Sequence, residues 1–206
     1  MTTFRSIESL AQFIRSSPPS ARPLIGIAGS PGAGKSTIAD ALVARLESAV
    51  VLPMDGYHLP QARLVELGRR DWMGAPDTFD VDGLVTTLSA LRSNSGKTVR
   101  APGFDRDIEE PVPGAIAILP ELVTVVVEGN YLLLESGGWE RVAPLLDVTF
   151  FVQVDRGIRL QRLIERHVRY GKSPADARAW ALGPDEHNAL MIEATAARAH
   201  HVIELA

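Results

Sequence analysis

The chain has 206 residues, of which 46% are hydrophobic and 22% are charged, a composition that predicts one ordinary globular domain with a sizeable core. Its 21 basic and 25 acidic residues give a net charge of −4, so no general attraction to nucleic acid or to an anionic membrane is expected. The lack of cysteine excludes disulfides and thiolate metal sites. Residues 1–15 lack the features of a signal peptide, and no apolar stretch approaches the roughly 20 residues that a membrane-spanning helix needs. We therefore expect a soluble, cytoplasmic protein.

The N-terminal part predicts a helix, a buried strand and a second helix. Several apolar residues fall on one face of the first helix, which Pro18-Pro19 is expected to end. They are Phe4, Ile7, Leu10, Ala11 and Ile14. The apolar run at residues 24–28 predicts the strand, and the periodicity of residues 37–46 predicts the second helix.

Residues 29–36 lie between this strand and this helix and match the phosphate-binding pattern G-x-x-x-x-G-K-[ST]. Glycines allow backbone angles at which consecutive N–H groups turn toward a polyphosphate. Lys35 adds a positive charge near the β- and γ-phosphates, and the Ser36 hydroxyl can bind Mg²⁺. The helix that follows directs the positive end of its dipole at the same anion. We therefore predict a loop that binds a nucleoside triphosphate, formed by Gly29, Ser30, Pro31, Gly32, Ala33, Gly34, Lys35, Ser36 and Thr37.

Further along the chain, strands alternate with helices, which is typical of a mostly parallel, doubly wound sheet. Strands are predicted at residues 50–54, 123–127, 148–154 and 201–205, and helices at 81–92, 158–170, 174–183 and 185–199. Residues 59–78 show no clear period and predict a loop-rich insert at the mouth of the site. Residues 97–118 contain three Pro and two Gly, which predicts edge strands or an extended loop.

Three acidic residues follow predicted strands: Asp55, Glu128 and Asp155. Ligands of an open parallel sheet bind beyond the carboxyl ends of its strands, where phosphoryl transfer needs acids to hold Mg²⁺ and to accept a hydroxyl proton. Glu128 follows the most apolar run of the chain, which favours such a role. Asp55 opens a Gly-containing turn, and stabilisation of that turn is an equal alternative. Asp155 is expected only to cap the next helix.

Residues 156–172 concentrate basic side chains in a chain of negative net charge. Arg159, Arg162, Arg166 and Arg169 recur at intervals of three or four residues and so share one helical face. A solvated basic face is the common alternative. Because a Gly/Pro break follows the helix, we favour a hinged lid whose arginines neutralise charge on a transferring phosphoryl group.

Six segments together resemble the phosphoribulokinase/uridine kinase/pantothenate kinase group of P-loop kinases, from about residue 23 to the C-terminus. They are the phosphate-binding loop, Asp55-Gly56-Tyr57-His58, Gly74-Ala75-Pro76-Asp77-Thr78-Phe79-Asp80, Phe104-Asp105-Arg106, Val127-Glu128-Gly129-Asn130-Tyr131 and Arg162-x-x-x-Arg166-His167. The resemblance implies a P-loop α/β fold, a mostly parallel, doubly wound sheet with flanking helices and a helical lid. It also implies ATP and Mg²⁺ as cofactors.

The resemblance further implies roles for single residues. It makes Asp55 the catalytic base, has Lys35 and Ser36 serve ATP·Mg²⁺, and makes Glu128 a second acid at the metal. It assigns Arg162 and Arg166 to the lid, as catalytic cations. The acceptor-site candidates, from the resemblance and from the residues themselves, are Asp55, Tyr57, His58, Asp80, Asp105, Arg106 and Asn130. The remaining histidines show no metal-ligand spacing and are expected to be structural.

The acceptor is the least specified part of the prediction. Gly74 stands where uridine kinases typically carry an Asp that binds ribose hydroxyls. Gly56 and Gly74 are closer to the pantothenate kinase pattern, but this chain is shorter than typical bacterial members of that branch. The overall likeness is greatest to small bacterial kinases labelled as fructose-transport-system or nucleoside-kinase-like proteins. A polar pocket built from Asp55, Asp105, Arg106 and Asn130 would suit a polyol or sugar.

We therefore expect an ATP-dependent kinase that phosphorylates an alcohol of a small sugar-like acceptor. A nucleoside or pantothenate acceptor remains an alternative, and a non-kinase regulatory NTPase is an alternative from another class. We expect one domain over residues 1–206, with its core at 20–58 and 120–206, an acceptor-site insert at 59–118 and a lid at 156–183. Whether the protein forms a homodimer is left open.

Overall fold

A parallel sheet forms the centre of the protein. This computed structural model describes residues 1–16, 22–122 and 124–205. Along the chain, the strands of the described residues are β1 (Thr3–Phe4), β2 (Leu24–Gly29), β3 (Ala49–Pro53), β4 (Val99–Asp105), β5 (Glu110–Ile118), β6 (Thr124–Gly129), β7 (Val148–Val152) and β8 (His201–Ile203). Six of them form one sheet in the order β1-β8-β7-β2-β6-β3, and every neighbouring pair is parallel. The predicted doubly wound α/β class is confirmed. Strands β4 and β5 form a separate antiparallel hairpin.

Helices connect the strands and cover the sheet. They are α1 (Ile7–Ser16), α2 (Lys35–Val43), α3 (Gln61–Glu66), α4 (Val81–Ser93), α5 (Arg156–Arg169), α6 (Pro174–Leu182) and α7 (Pro184–Glu193). The predicted Asp155 cap is present, since its carboxylate accepts from the backbone of α5, and the Asp80 carboxylate accepts in the same way from the backbone of α4. Within the described part of the chain, no helix combines the length and the apolar character needed to cross a membrane.

The core lies in two layers, one on each face of the sheet. Successive residues of β6 face opposite layers, because side chains alternate along a strand. Val125 and Val127 belong to the cluster that contains Leu84 of α4, whereas Val126 belongs to the cluster that contains Ile38 of α2. Both faces of the central strands are thus covered, which explains their continuous apolar runs. The carboxyl edge of the sheet is the place left for a ligand.

The N-terminal prediction was wrong in one respect, because Phe4 belongs to strand β1 and not to helix α1. The Phe4 carbonyl accepts a hydrogen bond from the N–H of Glu204 at 2.9 Å. The helix starts after Ser6, whose hydroxyl accepts from the Ser9 N–H at 3.2 Å, as N-cap residues do. A strand of two residues is too short to produce a periodic signal in the sequence.

Other boundaries differ by a few residues. Helix α2 starts at Lys35 instead of residue 37, and α7 ends at Glu193 instead of residue 199, with a short 3₁₀ turn (Ala196–Arg198) after it. The insert at residues 59–78 contains the short helix α3. The predicted helix stop and the predicted first residue of the third strand lie outside the described residues; these are Pro18-Pro19 and Val123.

Candidate active site

The predicted phosphate-binding loop connects β2 to α2 at the carboxyl edge of the sheet. Gly32 and Gly34 have φ angles of 80° and 94°, in the left-handed region that favours glycine. Gly34 is the N-cap residue of α2, whose first turn begins at Lys35. The positive end of the helix dipole therefore lies at the loop, as a polyphosphate site requires.

Lys35 places a buried positive charge at this loop. The residue is 8% exposed, and its Nζ donates a hydrogen bond to the Ser30 carbonyl at 3.1 Å. Burial lowers the pKa of Lys35 to about 8, although the charges of Glu128 and Asp55 act in the opposite direction. The side chain is thus protonated in the neutral range, but its charge is held at a cost that bound phosphate would reduce.

Ser36 and Glu128 place a hydroxyl and a carboxylate next to Lys35. The Ser36 hydroxyl donates to Glu128 Oε1 at 3.0 Å, and Glu128, near the end of β6, is 5% exposed. Burial and then the charge of Asp55 raise the pKa of Glu128 above its ordinary value. Within the described ranges, no cluster of three or more acidic or histidine side chains has a metal-binding arrangement. One hydroxyl and one carboxylate still fit Mg²⁺, because this ion is usually held by one or two carboxylates together with substrate phosphates.

Asp55 stands across from the loop in the 3₁₀ turn that follows β3. Its carboxylate accepts a hydrogen bond from Arg106 Nη2 at 2.5 Å. Burial by itself raises the pKa of Asp55, but the charges of His58, Arg106 and Lys35 outweigh it and hold the pKa below its usual range. Asp55 is therefore an ionised acceptor at neutral pH.

The hairpin β4–β5 is brought to Asp55 by a close backbone approach at Gly56. A Cβ atom at Gly56 would lie 2.2 Å from the Pro102 carbonyl oxygen, so only glycine leaves room for the hairpin here. The same approach places Arg106 on Asp55. His58 lies between the rings of Phe79 and Phe104, at centroid distances of 4.0 Å and 4.7 Å.

These elements enclose a cavity of about 560 Å³. The phosphate-binding loop forms one wall, and the insert, the hairpin and helices α5–α7 form the others. Many of the predicted site residues line it: Pro31, Lys35, Ser36, Asp55, His58, Arg106, Glu128, Asn130 and Arg166. The structure thus brings the predicted phosphate, metal and base residues together in one space.

Three predicted acceptor residues do not line this cavity. The Tyr57 ring is 4% exposed and packs in the core, where burial raises its pKa to about 12. Asp80 accepts a hydrogen bond from the Gly83 N–H at 2.9 Å and so acts as the cap of α4. Asp105 accepts from the Asp107 N–H at 2.9 Å in the turn of the hairpin. Each is next to cavity residues in sequence, but its side chain points elsewhere.

A second cavity of about 340 Å³ lies on another side of the phosphate-binding loop. Arg162 lines it together with the loop residues Ala33, Gly34 and Thr37, whereas Arg166 lines the larger cavity. The predicted basic face therefore divides, with its two lid arginines on different sides of the loop. Apolar residues complete the walls: Ile38, which follows the loop directly, and Val152, Val154 and Leu205 from later parts of the chain.

Sequence reasoning missed much of the larger cavity. The missed lining residues come from the insert, the hairpin and α5–α7: Arg70, Asp71, Met73, Gly74, Phe79, Phe104, Glu109, His167, Tyr170, Lys172, Trp180, Asp185 and Asn188. Phe79, Phe104 and His167 stand in the motifs named above, but no local signal shows which way their side chains point. The contact between His167 Nε2 and Asp185 Oδ2, at 2.7 Å, joins α5 to α7 across this wall.

Comparison with known proteins shows the family of the chain. The model of the phosphoribulokinase/uridine kinase family matches residues 24–203. The ATP-dependent kinase-like protein notR' of Aspergillus versicolor is 41% identical over 136 residues, which cover 61% of this chain and 77% of that protein. A uridine kinase of Brevibacillus brevis is 32% identical over 148 residues, or 70% of this chain and 66% of that protein. Proteins named pantothenate kinase also match, and this chain spans less than half of their length.

Among solved structures, the "putative fructose transport system kinase" of Silicibacter sp. TM1040 has a TM-score of 0.88 and 34% identity, covering 97% of this chain and 99% of that one. The family model covers nearly all of the chain, and the phosphate loop and the acids that it needs share one cavity. This chain belongs to the phosphoribulokinase/uridine kinase family and is an ATP-dependent phosphotransferase that acts on an alcohol.

Proposed function

We propose that this kinase transfers the γ-phosphate of ATP to a hydroxyl of a small sugar-like or polyol acceptor bound in the larger cavity. One observation carries the proposal: the ionised carboxylate of Asp55 faces the same space as Lys35 and Ser36. An acceptor hydroxyl next to Asp55 would therefore meet the end of a triphosphate on the loop. A reaction that consumes ATP also fits the cytoplasmic location expected from the sequence.

In this proposal, the nucleotide extends from the larger cavity into the smaller one. The triphosphate would lie on the loop, and the apolar walls of the smaller cavity, with Arg162 at its edge, suit a nucleotide base. Ser36 and Glu128 would hold Mg²⁺, which supplies positive charge to the β- and γ-phosphate oxygens when bound. The Arg166 guanidinium lines the larger cavity and has no side-chain hydrogen bond or ion pair among the described residues, so its charge is free for the transferring group.

Asp55 would orient the acceptor hydroxyl or take its proton. Such a base need not be strong, because phosphoryl transfer depends mainly on positioning and on charge stabilisation. Arg106 holds the carboxylate from the hairpin side. Asn130 and Gly74 line the acceptor end, and the lack of a side chain at Gly74 leaves room there without a carboxylate for ribose. This polar surface supports a sugar-like acceptor.

A nucleoside acceptor is a second candidate that one observation favours. The tilted rings of His58, Phe79 and Phe104 line the cavity, as do the rings of Tyr170 and Trp180. Aromatic faces of this kind stack on planar bases. Relatives named uridine kinase belong to the same family.

The decisive experiment is a coupled ADP-release screen with fructose, other sugars, uridine, ribulose 5-phosphate and pantothenate. Asp55→Asn should then lower turnover of the best acceptor by about 10²- to 10⁴-fold, while the ATP dissociation constant stays unchanged. Asp82→Asn is the matched control, because Asp82 is 84% exposed on α4. An active Asp55→Asn enzyme would remove Asp55 from the base role, and turnover of uridine alone would favour the nucleoside candidate.

A further inference from the structure

The phosphate-binding loop packs directly on helix α5. A Cβ atom at Gly32 would lie 2.7 Å from Leu163 Cγ and 2.8 Å from the Arg159 carbonyl oxygen. No side chain larger than hydrogen fits at this contact, so the middle of the loop lies against the α5 backbone at Arg159. The position of α5 therefore sets the position of the loop.

The Arg159 side chain is buried between the loop and helix α7. It is 2% exposed, its Nη2 donates a hydrogen bond to Glu186 Oε2, and its Nε lies 3.8 Å from Glu193 Oε1. The same Glu193 oxygen accepts a hydrogen bond from the Ser30 hydroxyl at 3.3 Å. Among the described residues, Arg159 Nε and Nη1 have no hydrogen-bond partner. The guanidinium thus faces two carboxylates, one of which binds the phosphate-binding loop.

Ser30 is held at two points. Its hydroxyl donates to Glu193, and its carbonyl accepts from Lys35 Nζ at 3.1 Å. A continuous path of contacts therefore runs from Arg159 through Glu193 and Ser30 to Lys35. Arg159 itself lines neither cavity of the site, so an influence on phosphate binding would have to act through this path.

We propose that Arg159 is a positioning residue, which holds Ser30 and Lys35 in the arrangement that binds the triphosphate. Removing its charge would leave two carboxylates without their shared buried cation. Glu193, whose side chain is 50% exposed, would then turn toward water and release Ser30. The proposal requires only that the loop binds ATP, and it is independent of the acceptor.

The test compares Arg159→Met with Arg156→Met. Arg156 contacts the same Glu186, at 2.6 Å, but is 63% exposed and, among the described residues, forms no hydrogen bond or ion pair with the loop, so it is the matched control. The ATP·Mg²⁺ dissociation constant is measured by calorimetry at a temperature where circular dichroism shows folded protein. We expect it to rise about tenfold in Arg159→Met and by less than about twofold in Arg156→Met. The unmodified protein is titrated alongside, and a lack of binding there would refute the proposed function instead.

A purely structural role would lower the melting temperature of Arg159→Met and leave its affinity for ATP unchanged, and this result would overturn the proposal. Arg159→Lys should recover part of the affinity. Glu193→Ala and Ser30→Ala should each weaken binding, and adding either to Arg159→Met should change little more, because the residues act in one path. Should Arg159→Met fail to fold, Glu193→Ala decides alone, since its side chain is half exposed and its removal takes away the acceptor of the Ser30 hydroxyl. Unchanged ATP affinity in that variant would overturn the proposal.

Discussion

The buried charge of Lys35 should cost this protein stability. Its pKa is lowered from 10.5 to about 8, and burial is the main cause. One pKa unit corresponds to about 1.4 kcal/mol, so the charged form of Lys35 lowers the free energy of unfolding by about 3 kcal/mol. In the proposed function, this charge binds the phosphates of ATP.

The sign of the pH dependence follows from the two pKa values. Below pH 8, Lys35 is protonated in the folded and the unfolded state, and the full cost is present. Between about pH 8 and 10.5 the folded protein has released the proton and the unfolded chain still binds it, so stability rises with pH. Above that range both states are neutral, and the cost disappears.

Lys35→Met keeps the apolar stem and removes the charge. We expect this variant to gain about 3 kcal/mol in free energy of unfolding at pH 7, and the gain to fall to about 1 kcal/mol at pH 10. ATP binding should be lost at the same time. Urea unfolding at both pH values measures the gain, and calorimetry measures the binding. Lys97→Met, at an exposed position, is the control and should show neither effect.

Two results would refute this reasoning. A Lys35→Met variant that is less stable than the unmodified protein at pH 7 would show that the buried charge is well compensated. A gain of the same size at pH 7 and pH 10 would show that its origin is packing and not the lost charge.

Three further predictions concern the surroundings of the site. Arg106→Gln removes a charge that lowers the pKa of Asp55, so the acid limb of the kcat/KM profile should move to higher pH; an unmoved limb would contradict the role of Asp55. Gly56→Ala would bring a methyl group against the Pro102 carbonyl and should lower the free energy of unfolding by about 1–3 kcal/mol in urea, whereas an unchanged value would contradict the close approach. Asp80→Ala should cost about 1 kcal/mol as a lost helix cap and leave the acceptor KM unchanged, while a raised KM would return Asp80 to the acceptor site.

Features that depend on neighbouring residues were predictable. Gly32 and Gly34 take the positive φ angles that the loop pattern requires, because steric limits on the backbone are local. Asp155 caps α5 through the N–H groups of the next residues in the chain, which is again a local contact. The strand–helix alternation indicates a parallel sheet, and the carboxyl ends of parallel strands bring Asp55 and Glu128 to one edge.

Features that depend on the direction of a side chain could not be predicted from the sequence. Three predicted acceptor residues lie beside cavity residues in the chain, yet their side chains point elsewhere. The Tyr57 ring packs in the core, the Asp80 carboxylate caps helix α4, and the Asp105 carboxylate accepts a hydrogen bond within the hairpin turn. The arginines of α5 share one periodicity, yet Arg159 is buried against α7 and Arg162 faces a cavity. Periodicity reports a face of a helix and does not report which neighbour covers that face.

The sequence by itself determined the phosphate-binding loop, the parallel α/β class and the acids at the strand ends, because each follows from steric limits or periodicity along a few residues. Tertiary structure alone decided which side chains enclose the cavity, where the arginines of α5 go, and that Ser30, Glu193 and Arg159 meet. These contacts join residues far apart in the chain. Their distances depend on how helices pack on the sheet, and no local pattern carries that information.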